Sequence, residues 1–170
     1  MKIAVEHLFI SPGHNYVGHH GVPPGTHPLV ELTEVECVAG RGLRGDRYFD
    51  HREDYKGQVT FFAMEVLEAL RQDLDLTEAA PASTRRNVFT RGIHLPDLVG
   101  KDFAIQGVHF VGTEECRPCY WMNEAFRDLR IEHWLAGKGG LRARIRSSGL
   151  LRRDGGPLPA SRGEIPPLPG

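Results

Sequence analysis

The chain has 170 residues, of which 40% are hydrophobic and 25% charged, and its formal net charge is −1. This length suits one domain with a full core, predicted at residues 1–154, followed by a Pro- and Gly-rich tail at residues 155–170. The small net charge predicts no overall attraction to nucleic acid or to an acidic membrane. No apolar run approaches the roughly 20 residues that span a bilayer, and the N-terminus lacks a signal-peptide pattern, so we expect a cytoplasmic protein.

Frequent Gly and Pro residues divide the chain into short elements, which is typical of β-rich folds. Residues 11–28 form a loop rich in Gly, Pro and His, and Gln106-Gly107 has the composition of a hairpin turn. In chain order, strands are predicted at residues 2–10, 29–38, 58–62, 103–105, 108–111 and 141–145.

Two segments have helical character. Residues 63–74 place Met64, Leu67 and Leu70 on one face, which predicts a helix. Residues 120–135 predict one helix or two short ones. The strand–helix alternation of a doubly wound sheet is missing, so the predicted fold is mainly β (α+β), with a barrel-like β core and a few helices packed on it. The core candidates in the second helical segment are Trp121, Phe126, Leu129 and Trp134.

The pair in Cys116-Arg117-Pro118-Cys119 is the first candidate for chemistry. A thioredoxin-like redox motif would need a βαβ pattern around it, which is absent. A zinc site would need four ligands, with Cys37 or histidines completing the pair. A soft metal held mainly by a cofactor needs a single thiolate. The fourth interpretation is a pair without a role, and spacing alone leaves all four open.

Basic side chains near predicted turns and strand ends are the second candidate. Arginine binds phosphate through its planar guanidinium, and asparagine can recognise the donors and acceptors of a planar ring. The competing interpretation is solvated charge paired with acids such as Glu53 and Asp54. The candidate cofactor-binding residues are Arg44, Arg47, Lys56, Arg85, Arg86, Asn87, Arg142 and Arg144.

Histidines are the third candidate. His14, His19 and His20 lie in one loop without the regular spacing of metal ligands, which favours a non-ligating interpretation. His94 follows Gly92-Ile93 beside the basic residues and is a better functional candidate. His94, or an acid such as Asp46, would supply a proton in catalysis.

Four blocks of sequence resemble the MOSC domain, the module related to the C-terminal domain of molybdenum cofactor sulfurases. They run in the family's order from about residue 40 to residue 120. Each is weak alone, but four in order with plausible gaps are fairly specific. The blocks are Gly42-Leu43-Arg44-Gly45-Asp46-Arg47, then Gln58-Val59-Thr60-Phe61 with Glu65, then residues 85–93 (RRNVFTRGI), and finally Arg117-Pro118-Cys119-Tyr120.

The resemblance implies a molybdenum cofactor, or a sulfur-transfer role on that cofactor. In the family, the cysteine at the position of Cys119 is the molybdenum or sulfur ligand, and Arg117 of the same segment is a further candidate cofactor-binding residue. Cys116 is not a fixture of the small stand-alone members. It leaves open which thiol is the ligand and permits a Cys116–Cys119 redox couple. Pyridoxal phosphate is a further ligand suggested for the family, for which Lys56 would be the Schiff-base lysine.

Three hypotheses follow. The first is a molybdenum-cofactor-dependent oxidoreductase that reduces an N-hydroxylated small molecule, with Cys119 on the metal and a partner protein as electron donor. The second is a sulfur carrier with a persulfide on Cys119, whose thiolate the charge of Arg117 favours. The third is a zinc-stabilised binding domain held by Cys116, Cys119 and histidines.

Overall fold

The computed structural model describes residues 2–13 and 29–155. The predicted His-rich loop, with His14, His19 and His20, and residues 156–170 of the predicted tail lie outside the described residues. None of the described helices is long and apolar enough to cross a membrane.

Ten strands and three α-helices make up the described part of the chain. Two short 3-10 helices, Pro81–Thr84 and Leu95–Leu98, connect some of them. The elements are β1 (Ala4–Ile10), β2 (Val30–Glu31), β3 (Glu34–Val38), β4 (Gly42–Leu43), β5 (Val59–Ala63), α1 (Met64–Asp73), β6 (Val88–Arg91), β7 (Asp102–Ile105), β8 (Val108–Glu115), α2 (Tyr120–Phe126), α3 (Ile131–Trp134), β9 (Leu141–Ile145) and β10 (Gly149–Arg152).

The strands form two sheets. The larger has seven strands in the order β2-β1-β6-β5-β9-β8-β7, and the smaller has three in the order β10-β3-β4. The predicted mainly β fold with a few helices is confirmed. The β7–β8 hairpin is also confirmed, since Ile105 pairs with Val108 across the predicted turn. The barrel-like description is loose, because the described strands form two sheets with edges and not a closed barrel.

One pair of strands departs from the predicted pattern. β5 and β6 are parallel, and α1 lies between them in the chain, so residues 59–91 form a single βαβ unit. The sequence predicted no strand–helix alternation of this kind. The unit brings the start of β6, and with it the arginine block at residues 85–87, beside β5 and then β9.

Strand β5 joins two hydrophobic cores because successive side chains of a strand point to opposite faces. Phe61 belongs to the core between the sheets, whereas Phe62 belongs to the core under the helices. Both rings are fully buried, and burying a side chain of this size stabilises the fold by about 1.5–3 kcal/mol. The predicted face of α1, with Met64, Leu67 and Leu70, packs in the second core.

The second helical segment was predicted less accurately. It forms two short helices, and Phe126 and Trp134 pack against the second core as expected. Leu129 is wrong as a core residue, because it lies between the helices and is 82% exposed. Met122 and Ile131 are buried in its place. Strand β10, which pairs with β3, was not predicted at all.

Candidate functional site: an arginine-lined pocket at the cysteine pair

The cysteine segment lies between the end of β8 and the start of α2. Its backbone is held from the loop before β9, since the Cys116 N–H donates to the Gly140 carbonyl at 2.8 Å. Gly139 is required there, because a Cβ at that position would lie 2.4 Å from the Cys116 carbonyl oxygen. The two loops therefore pack backbone against backbone, which fixes where the cysteines lie.

The segment forms one wall of a pocket of about 250 Å³. Both cysteines line it, but Cys116 is only 3% exposed whereas Cys119 is exposed. The pair thus offers one accessible thiol and one sheltered thiol. The lining residues are Arg47, Tyr48, Ser83, Thr84, Arg85, Arg86, Cys116, Arg117, Cys119, Trp121, Met122, Ala125 and Arg142.

The lining is strongly basic. Five of these residues are arginines and none is acidic. Burial opposes the charge of Arg142, but the Coulomb attraction of Cys116 and a hydrogen bond to its side chain outweigh burial and raise the Arg142 pKa above its ordinary value. A wall of guanidinium groups in a partly buried site attracts anions.

Asp46 positions one side of the pocket. Its buried carboxylate accepts hydrogen bonds from the Ser11 N–H at 3.0 Å, from the Tyr48 N–H at 3.2 Å and from Arg47 Nη1 at 3.1 Å. Arg47 Nη2 in turn donates to the Arg85 carbonyl at 3.0 Å. The structure therefore commits Asp46, predicted as a proton donor, to holding Arg47 and the surrounding backbone.

Arg85 and Arg86 both reach the pocket. Arg85 has a left-handed backbone with φ 55°, which is uncommon for a residue with a side chain and is often found at functional sites. Arg86 bridges the loops, because it donates from Nε to the Gly139 carbonyl at 3.0 Å and from Nη2 to the Cys116 carbonyl at 3.3 Å.

Asn87 has a different environment from its arginine neighbours. It is 1% exposed, and its Oδ1 accepts from both the N–H and the hydroxyl of Thr60, each at 3.0 Å. Its Nδ2 donates to the Phe9 carbonyl at 3.1 Å. The side chain thus ties β1 to β5 inside the fold, and it does not line the pocket as predicted.

Three other predicted basic residues are not brought to the pocket. Arg44 is exposed and pairs with Glu36. The exposed Lys56 and the half-buried Arg144 also pair with acids, Lys56 with Glu114 at 2.9 Å and Arg144 with Asp54 at 3.0 Å.

His94 lies in a different place. It precedes the 3-10 helix Leu95–Leu98, lines a separate apolar cavity and pairs with Asp97 at 3.1 Å. Its side chain is 71% exposed. The structure therefore does not support its predicted role as a proton source beside the cysteines.

Several pocket residues were not singled out in the sequence. Tyr48 lines the pocket, and its ring stacks on Tyr55 with the centroids 5.6 Å apart. Arg47 lies over the Tyr48 ring, 4.9 Å from its centroid. Burial raises the pKa of the Tyr55 hydroxyl, and the nearby Tyr48 adds to this shift. The sequence could have indicated Tyr48 as a candidate pocket residue, because aromatic residues directly follow the block at residues 42–47.

A zinc site is not supported within residues 2–13 and 29–155, where no group of three or more His, Cys, Asp or Glu side chains is placed to hold a metal ion. Cys37, the third potential cysteine ligand, is fully buried in the core between the sheets. Burial raises its pKa from an ordinary value near 9 to about 12, and Glu36 adds to this shift, so it stays a neutral thiol.

Comparison with known proteins gives a family match. The model of the MOSC domain matches residues 19–153. No curated protein matches the sequence. Two structural neighbours are the YuaD protein from Bacillus subtilis, at 14% identity and TM-score 0.66, and YiiM from Escherichia coli, at 20% identity and TM-score 0.58. A third is YiiM from Geobacillus stearothermophilus, at 11% identity and TM-score 0.62.

The matched lengths differ among these neighbours. The YuaD alignment covers 89% of this chain and 92% of that protein. The alignments to YiiM cover 85% of this chain and 66% of the Escherichia coli protein, and 88% of this chain and 71% of the Geobacillus protein. This chain therefore spans slightly less than two thirds of the Escherichia coli YiiM. At these identities the likeness establishes the fold alone.

Proposed function

The chain belongs to the MOSC domain family, and from this premise we propose that it binds a molybdenum cofactor in the arginine-lined pocket and reduces N-hydroxylated compounds. One observation carries the proposal. Two thiols and five arginines line the same pocket, without an acidic residue among them. Family membership supports the cofactor in general, and the substrate class follows from the resemblance to small stand-alone members.

The residues present fit such a cofactor. A thiolate is a suitable ligand for a soft metal, and Cys119 is the exposed thiol of the pair. Arg47, Arg86 and Arg142 would hold the negative charge of the cofactor through charge-assisted hydrogen bonds. When bound, the cofactor supplies the redox chemistry that cleaves an N–O bond.

The protein's own side chains would position and shelter the site. Trp121 and Met122 form an apolar part of the wall beside the thiols. Arg142 lines the pocket beside Cys116, and Arg86 donates a hydrogen bond to the Cys116 backbone carbonyl. In this proposal a separate cytoplasmic protein donates the electrons.

Metal analysis tests the proposal directly. We expect protein purified from cells supplied with molybdate to contain close to one equivalent of molybdenum, and the Cys119→Ser variant to lose it. Cys37→Ala is the matched control, because Cys37 lies in the core away from the pocket. Wild-type protein without molybdenum under these conditions would overturn the proposal. Loss of the metal in Cys116→Ser but not in Cys119→Ser would move the ligand to the other thiol.

A second candidate function is sulfur transfer. The observation that favours it is the contrast between Cys119, which is exposed and open to a partner, and Cys116, which is buried beside it. Cys119 would carry a persulfide and pass its outer sulfur to an acceptor. Incubation with a persulfide donor, whose outer sulfur the Cys119 thiolate takes as the donor's thiol leaves, should then add about 32 Da, the mass of one sulfur atom, in a form that a thiol reductant removes. Absence of this adduct on Cys119 in intact-mass spectra contradicts the candidate.

A further inference from the structure

Cys116 also lines a second, smaller cavity of about 40 Å³, which we call the inner recess. Four of the pocket arginines also line this recess, as does Cys116. None of its lining residues is acidic. The lining residues are Arg47, Tyr48, Tyr55, Gly57, Thr60, Arg85, Arg86, Cys116 and Arg142.

The volume of the recess limits what it can hold. A cavity needs a volume of about 10–15 Å³ to hold one water molecule, so the recess has room for roughly three water molecules. A planar ring system does not fit there, but a compact group with three or four oxygens does. The outer pocket, at about 250 Å³, is the part that could take a larger body.

The charges around the recess are incompletely neutralised. Arg86 makes its three hydrogen bonds to the carbonyls of Thr84, Cys116 and Gly139, none of which carries a negative charge. Arg142 pairs with Glu114 at 3.1 Å, but Lys56 pairs with the same carboxylate oxygen at 2.9 Å. Sheltered charges without counter-charges are costly, so an anion bound here would stabilise the site.

The guanidinium groups also have donors to spare. Each arginine side chain has five N–H donors. Within the described part of the chain, the side chain of Arg47 uses two of them as a donor and that of Arg86 uses three. Several planar donor groups around one small space suit an anion with oxygens on all sides better than a carboxylate, which has oxygens on one side only.

We propose that the inner recess binds a single tetrahedral oxyanion of the size of phosphate or sulfate. The anion is either free in solution or the terminal group of a ligand whose body fills the outer pocket. In the second case the site deepens the proposed function, because it assigns the phosphate of the cofactor to the recess. Binding of inorganic phosphate does not depend on the proposed function.

Calorimetric titration with inorganic phosphate at constant ionic strength tests the site. We expect saturable binding of phosphate and sulfate, and weaker binding of acetate. Arg86→Gln and Arg142→Gln should each weaken phosphate binding roughly tenfold or more, as expected when a hydrogen bond to a charged group is lost. Arg44→Gln is the matched control, since Arg44 is exposed, pairs with Glu36 and lies outside the recess.

The outcomes separate clearly. Absence of saturable phosphate binding in the molybdenum-free wild-type protein overturns the site, and so does equal weakening by Arg44→Gln. Circular dichroism and thermal melts show which variants keep the fold. Arg142→Gln provides the test if Arg86→Gln does not fold, because Arg142 makes no bond to the Gly139 loop carbonyl that Arg86 holds.

Two preparations distinguish the sources of the anion. Equal phosphate binding by molybdenum-loaded and molybdenum-free protein supports a free anion in the recess. Binding by the molybdenum-free protein alone supports the phosphate of the cofactor as its occupant. A protein that never contains molybdenum contradicts the proposed function, whereas its phosphate titration still decides on the recess.

Discussion

Arg86 donates a hydrogen bond from Nη2 to the backbone carbonyl of Cys116, at 3.3 Å. The same side chain donates from Nε to the Gly139 carbonyl, so one arginine joins the cysteine segment to the loop before β9. The position of the thiols therefore depends on backbone packing between two loops that are distant in the chain. Substitutions in these loops should therefore affect the site even where they remove no side chain that lines the pocket.

Gly140 tests how the loop before β9 packs against β5. A Cβ at this position would lie 2.4 Å from the Phe61 carbonyl, and Gly140→Ala should lower the free energy of unfolding by about 1–3 kcal/mol through this overlap. The control is Gly137→Ala, whose backbone also has a positive φ, at 81° against 113° for Gly140, but which has no atom within 4 Å of its Cβ. Urea unfolding curves should show the larger loss for Gly140→Ala, and equal losses would contradict the steric explanation.

Asn87 should matter for stability more than for binding. Asn87→Ala leaves the buried Thr60 N–H and Phe9 carbonyl without these partners, and each unsatisfied group costs about 1–3 kcal/mol. We therefore expect a loss of at least about 2 kcal/mol in the free energy of unfolding, by chemical denaturation. A fully stable variant that loses only molybdenum or phosphate binding would contradict this structural role.

A substitution at Thr90 should raise the stability of the fold, whereas Asn87→Ala should lower it. Its hydroxyl is buried on β6 and has no hydrogen-bond partner among the residues described. Thr90→Val keeps the shape of the side chain and removes the unpaired polar atom, so it should raise the free energy of unfolding by about 1 kcal/mol. Chemical denaturation of Thr90→Val, measured in parallel with Asn87→Ala, tests this expectation. A clear loss of stability in Thr90→Val would indicate that the Thr90 hydroxyl has a hydrogen-bond partner.

The three cysteines should react with a small alkylating reagent in a fixed order. Cys119 is exposed and should be modified first, and Cys116, at 3% exposure, should follow more slowly. Cys37 should be modified only after unfolding, because it is fully buried and its pKa is raised to about 12. Peptide mapping of partially alkylated native protein measures the order, and early modification of Cys37 would contradict the described burial.

The raised pKa of the buried Cys37 thiol predicts that the folded protein loses stability at alkaline pH. Burial raises its pKa from an ordinary value near 9 to about 12, with Glu36 adding to the shift, so the thiol ionises first in the unfolded chain. Its contribution to stability is therefore complete below pH 9 and falls as the pH rises toward 12. The free energy of unfolding should decline less steeply across this range in Cys37→Ala than in the wild type. An equally steep decline in the two proteins would contradict the raised pKa of Cys37.

Local sequence patterns predicted much of the fold. The helical spacing of Met64, Leu67 and Leu70 placed the buried face of α1, and the turn at Gln106-Gly107 placed a hairpin. These features depend on residues close in the chain. The parallel pairing of β5 with β6 and the exposure of Leu129 depend on distant packing, so spacing could not reveal them.

The candidate site divides in the same way. The sequence by itself determined which segments matter, because the blocks at residues 42–47, 85–93 and 117–120 identify the family and contain Arg47, Arg86 and Cys119. Only the tertiary structure decided which basic side chains share a space. It brought Arg142 to the cysteines across the sheet, and it turned Asn87 inward and left His94 in another cavity. The physical reason is that residue type sets what a side chain can bind, whereas strand pairing and loop packing set what it can reach.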